Sequence, residues 1–151
     1  MKRREARECA LKILYQMDIR QEKSDLILTD FWDSFPEGEK NREFAEKIVK
    51  TVEEKFLLID ELISKVAINW KLGRMSYIDR NILRIATCEM LFFDEIPPVV
   101  SINEAIEIAK VYGTDDSPKF VNGILNKIEE VIEKKGGTNA CTSNPEDTSC
   151  N

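Results

Sequence analysis

From its first residues to about Ile132, the apolar residues of this chain recur every three or four positions. No stretch alternates apolar and polar residues as a half-buried strand must. That periodicity restricts the chain to helices packed on helices. Helix one spans about residues 3–19, with Ala6, Ala10, Ile13 and Met17 as its apolar stripe. Ser24 or Asp25 caps a second helix carrying Ile27, Leu28, Phe31 and Phe35, and Pro36 and Gly38 then break the chain. A third, from about Glu39, presents Phe44, Ile48 and Val52; near Phe56 it gives way to a fourth with Ile59, Leu62, Ile63 and Val66. After a connector at Trp70–Gly73, Ser76 and Asp79 form a capping pair for a fifth helix. Its apolar face (Ile78, Ile82, Ile85, Ala86, Phe93) is broad, so it belongs at the centre. Pro97 and Pro98 close that segment. Ser101 and Glu104 read as a capping box for helix six, and Gly113 as its left-handed stop. Ser117–Pro118 opens helix seven, which buries Val121, Ile124, Leu125, Ile128 and Ile132. The predicted fold is all-α, about seven helices in two packed small bundles, residues 1–67 and 68–135, joined by short connections. Residues 136–151 turn small and polar and are predicted to be a disordered tail.

Composition removes several function classes. There is no histidine, hence neither the commonest general base nor the commonest metal ligand. Cys9 and Cys88 sit within helical patterns, Cys141 and Cys150 in the polar tail, and no spacing resembles a metal site. Phosphate-binding glycine loops and nucleophile elbows are missing. The reading is a non-enzyme without metal or cofactor. With no long apolar run and no signal peptide, a cytoplasmic protein that does not enter a membrane is expected.

The net charge of −6 argues against a general nucleic-acid coat. Yet residues 1–12 hold five basic side chains against two acidic ones. Lys2, Arg3, Arg4 and Arg7 lie at a helix N-terminus, where the peptide dipole disfavours cations by about 0.3–1 kcal/mol. Arg3 and Arg7 border the apolar stripe, and Tyr15 lies on the same side further along. Arginines beside an aromatic ring suit single-stranded RNA, phosphates on the cations and bases on the ring. A solvated charge run is the plain alternative.

Three segments together resemble the NusB family of transcription antitermination factors: RREARECALKILYQ, WKLGRMSYIDRNILRIATCEML and SINEAIEIAKVYGTDDSPKFVNGILNK. The resemblance implies a non-catalytic helical protein. Its partners would be NusE, a protein of the small ribosomal subunit, the boxA element of nascent RNA, notably in ribosomal RNA leaders, and the RNA polymerase antitermination complex. It implies RNA contacts at Lys2, Arg3, Arg4, Arg7 and Tyr15, although Glu5 interrupts the basic run. Arg74, Arg80, Lys119 and Asn122 join the RNA set. Trp70, Tyr77, Asp79 and Leu91 are expected to meet the protein partner.

Each residue also has a structural reading. Arg84 is expected to pair with Glu104, Glu107 or another carboxylate, and Glu89 to be a partly buried ion-pair member. Asp115, Asp116 and Ser117 read as caps, Trp70 as an anchor for the connector. Gly123, in mid-helix, implies close approach by a neighbouring helix or by RNA, helix packing first. Two other functions stay open: a protein-only helical adaptor, and a NusB-like fragment of an RNA cytosine methyltransferase, for which the chain shows no room. The free protein is left open between monomer and homodimer.

Overall fold

The computed structural model describes residues 2–69 and 71–141, with side chains for 3–69 and 71–134. Its helices are α1 Lys2–Arg20, α2 Leu28–Ser34, α3 Arg42–Glu54, α4 Phe56–Val66, α5 Tyr77–Phe92, α6 Pro98–Tyr112 and α7 Ser117–Cys141. Short 3-10 segments lie at Ser24–Leu26, Pro36–Asn41 and Leu72–Arg74. No strand occurs among the described residues. None of the helices is long and apolar enough to cross a membrane. Helix α7 continues past Gly136, where the sequence places the start of the tail; residues 142–151, with Cys150, lie outside the described residues.

Two helices occupy the centre. Every residue of α5 from Asn81 to Met90 is buried, and α5 packs against α1, α3, α4, α6 and α7. Helix α1 buries Ala6, Arg7, Cys9, Ala10, Leu11, Ile13 and Leu14, much more of its circumference than one apolar stripe. One hydrophobic cluster runs from Ala6 to Ile128 and crosses the expected boundary at residue 67. Two buried helices bring polar side chains inside, and a buried charge must be paired. Those pairs, formed between α1, α4, α5 and α6, build the site described below.

Several end signals work differently from their sequence reading. Ser76 does cap α5, its hydroxyl accepting the Asp79 N–H at 3.0 Å. Ser24 instead gives its hydroxyl hydrogen to Glu53, 2.6 Å away, which ties the 3-10 segment to α3. Pro36 does not interrupt the chain; it opens the 3-10 turn that leads into α3. The Ser101–Glu104 box does not form. Helix α6 begins at Pro98, a turn earlier, and both side chains are drawn into ion-pair networks. Gly113 ends α6 with φ −94°, in extended backbone. It is glycine for want of room: a Cβ would collide with the Ser117 hydroxyl and lie 2.9 Å from the Ala109 carbonyl oxygen.

Candidate nucleic-acid interface

The basic start of α1 meets the ends of α3, α5 and α6, and its three described arginines separate into three environments. Arg3 is exposed and forms no salt bridge among the described residues. Its guanidinium lies 4.3 Å from the centroid of the Phe44 ring. That ring meets Phe93 edge-on, and the Lys47 ammonium sits 4.5 Å over Phe93. The tip is therefore an aromatic plinth bearing two exposed cations. Arg4 is half-exposed and grips Glu104 with two nitrogens, at 2.5 and 2.9 Å. Its hydrogen bond and charge hold the Glu104 carboxyl below its ordinary value against the cost of partial burial.

Arg7 departs from the sequence reading. It is 4% exposed, and both oxygens of Glu89 accept from it, at 2.6 and 2.9 Å. Glu89 is fully buried and accepts a third bond from the Ser101 hydroxyl at 2.7 Å. Arg7 is thus engaged inside the protein by a buried carboxylate. Arg80, also expected at the RNA surface, is held by the same kind of pairing. It binds Asp18 through two nitrogens at 2.7 and 2.6 Å and reaches the Leu72 carbonyl oxygen at 3.1 Å. Arg84 is structural as expected, but its partners are Asp60 and Asp18 rather than Glu104 or Glu107. Burial opposes the charge on Asp18, and hydrogen bonds from Arg80 and Asn81 with the charge of Arg84 outweigh it, so the carboxyl stays below its ordinary value.

The remaining expected residues form two groups. Tyr15 is half-buried, 17 Å or so along α1 from the arginine tip at ~1.5 Å per residue. Its ring meets exposed Tyr77 edge-on at 6.1 Å, and the Arg80 guanidinium lies 4.5 Å over Tyr77. Beyond this pair a cleft of about 480 Å³ lies between the start of α5 and the start of α7, lined by Arg74, Met75, Ser76, Asp79, Asp116, Lys119 and Phe120. One oxygen of Asp79 is buried there with no hydrogen-bond partner. Asn122 is exposed a turn further on and accepts from Asn126 at 3.1 Å. Leu91 sits half-buried against the core, ~21 Å along α5 from Tyr77. Trp70 lies outside the described residues, and so does the Lys2 side chain. Beside Gly123 nothing of this chain comes within 4 Å of an added Cβ, so helix packing does not account for that glycine.

Comparison with known proteins settles the lineage. The sequence profile of the NusB family matches residues 4–130. The chain belongs to the NusB family. It is 46% identical to the transcription antitermination protein NusB of Chloroherpeton thalassium, covering 89% of this chain and 64% of that longer relative. It is 47% identical to NusB of Bacillus velezensis, over 88% of this chain and 99% of the relative. Among solved structures, NusB of T. maritima aligns with a TM-score of 0.77 at 43% identity, covering 85% of this chain and 90% of that one. A NusB chain crystallised with NusE and double-stranded RNA aligns at 0.74 and 29% identity, over 86% and 97%. The NusB fold therefore holds for this sequence. Sequence reasoning missed Phe44, Phe93 and Lys47 as supports of the tip. Periodicity marks Phe44 and Phe93 only as apolar-face residues; their meeting beneath Arg3 is a tertiary fact.

Proposed function

We propose that this protein is a non-catalytic transcription antitermination factor of the cytoplasm that binds boxA RNA together with NusE in ribosomal RNA transcription. The observation that carries the RNA half is the tip of α1. Arg3 stays exposed on an aromatic ring and Arg4 half-exposed, although the helix dipole disfavours both. With Arg7 internal, Lys2, Arg3 and Arg4 are the phosphate contacts. Arg74, Lys119, Asn122 and the half-buried Tyr15 ring extend the surface toward α7. Gly123 fits the same reading: a mid-helix glycine with open space beside it gives a strand room to lie against the backbone.

The NusE half rests on Tyr77 and Asp79. An exposed ring next to a carboxylate oxygen that lacks a donor suits a protein partner bringing an N–H or a cation to that cleft. Trp70 and Leu91 belong to the same proposed face by sequence.

The test is a titration of boxA RNA and a scrambled control, with and without NusE, over a salt series. Single-stranded RNA gives a slope of roughly −0.7 per neutralised phosphate, so two or three contacts at the tip predict roughly −1.4 to −2.1. A well-folded Arg3→Ala/Arg4→Ala variant should lose most of that slope. Wild-type affinity and slope in that variant would remove the tip from the RNA site. NusE binding that is indifferent to Tyr77→Ala and Asp79→Asn would remove the cleft.

A further inference from the structure

The exposed strip of α1 is the floor of a furrow. Arg4, Glu8 and Lys12 follow one another along it at single-turn spacing, with Lys12 about 12 Å from Arg4. Phe35, at the end of α2, stands on one side and Tyr112, at the end of α6, on the other. The Lys12 ammonium lies 5.7 Å from the first ring centroid and 5.9 Å from the second. It is exposed, and no carboxylate among the described residues pairs with it. Against the Phe35 side lies a hollow of about 330 Å³ in which Lys12, Gln16, Asp30, Phe31 and Phe35 take part.

Three features define what fits there. The Phe35 ring is fixed in place. Gly38 is packed so closely under it that a Cβ would collide with the ring, and Phe31 meets it edge-on at 6.1 Å. A ring held this way is a stacking platform for a flat aromatic ligand, with little ordering left to do on binding. Gln16 and Asp30 supply the polar groups. An ionised carboxylate only accepts, so the ligand must present an N–H. Charge then sets the orientation. Glu5 and Glu8 on α1 and Asp30 opposite repel a phosphate from the floor, while Lys12 attracts one to the rim.

We propose that this hollow receives one base of the strand whose backbone is held at Arg3 and Arg4. The base stacks on Phe35 and gives an N–H, from an exocyclic amine or from the ring N3–H of uracil, to Asp30 or Gln16, and its phosphate stays at Lys12. The proposal rests on the RNA reading of the tip and adds a position at which one base is bound.

The experiment is a base-deletion scan. A boxA RNA is made with one abasic position at a time and titrated against wild type, Phe35→Leu, Gln16→Ala and Lys12→Gln. The result expected is one position at which losing the base costs wild type roughly tenfold, from the worth of one stacked base. Phe35→Leu should bind weakly from the outset and be insensitive at that position only. Lys12→Gln should flatten the salt slope by roughly 0.7. Thermal melting checks each fold, and Gln16→Ala carries the coupling test if Phe35→Leu is unstable. If both variants show the wild-type abasic profile while Arg3→Ala/Arg4→Ala abolishes binding, the hollow is not a base site and the tip still binds RNA. If wild type binds no RNA, both readings fall together.

Discussion

Arg7→Ala separates a phosphate contact from an internal ion pair more cleanly than any other change in this protein. Arg7 is 4% exposed and Glu89 is fully buried. Removing the guanidinium leaves an ionised carboxylate inside the protein with only the Ser101 hydroxyl to serve it. Breaking a buried pair from one side costs about 3–5 kcal/mol. Against a total stability of about 5–15 kcal/mol, that is a large fraction. At roughly 2–4 °C per kcal/mol for a chain of this size, Arg7→Ala should lower Tm by roughly 6–20 °C. Glu89→Gln combined with Arg7→Met should recover much of the loss, because no charge is then left inside and the amide oxygen can still accept from Ser101. The assay is thermal and urea denaturation of the two variants, beside RNA titration at a temperature where Arg7→Ala is still folded. Affinity and salt slope for RNA should match wild type there. An unchanged Tm with weakened RNA binding and a shallower slope would refute the internal assignment and return Arg7 to the RNA surface.

Other consequences follow from the same geometry. Asp18→Asn strips the shared carboxylate from Arg80 and Arg84, so denaturation should show a loss toward the lower end of about 3–5 kcal/mol, because Asp60 still serves Arg84. Gly113→Ala should destabilise by about 1–3 kcal/mol through the collision with Ser117, whereas Gly123→Ala should stabilise by about 1 kcal/mol, with open space for the methyl, and weaken RNA binding. Asp18 and Glu104 both have folded pKa values below their ordinary 3.8 and 4.5. Their stabilisation is therefore complete above those ordinary values and lost as pH falls through the depressed folded ones. Urea midpoints should stay level, for these two groups, from neutral pH to about 4.5 and then drop; in Asp18→Asn the drop should shrink.

The fold was legible because helical periodicity is written locally. Ile82, Ile85 and Ala86 marked α5 as central, and α5 is central. Caps were less legible, since a Ser–Glu spacing has more than one use. Ser101 and Glu104 have the spacing of a capping box, but Glu89 and Arg4 claim their side chains from other helices. The site was legible only as a set of residue types. Arg3, Arg4 and Arg7 look alike in sequence, within two turns of one helix. Their fates diverge through partners some 40 to 100 residues away: Phe44, Glu89 and Glu104. Nothing in the local pattern distinguishes an arginine facing solvent from one facing a carboxylate on a helix not yet packed. Gly123 shows the reverse case, where an internal explanation drawn from sequence gives way to empty space.

The anomaly of cations at a helix N-terminus has two resolutions in this protein. For Arg7 the dipole's disfavour is offset inside the fold by Glu89. For Arg4 the offset is partial and leaves it usable. Its contact with Glu104 engages Nε and one terminal nitrogen, in the side-on geometry of a guanidinium fork. The remaining N–H donors point elsewhere, and the group is still half-exposed. A phosphate can bind those donors without breaking the carboxylate pair, and it meets a guanidinium whose orientation is already set. Glu104 then acts as a brace that lowers the ordering cost of an arginine–phosphate contact. Arg3, resting on Phe44, reaches the same end with a ring for its brace. On the proposed RNA reading, two differently supported arginines at one tip would hold a backbone in a fixed direction along α1, which is what a strand needs before any base can be read.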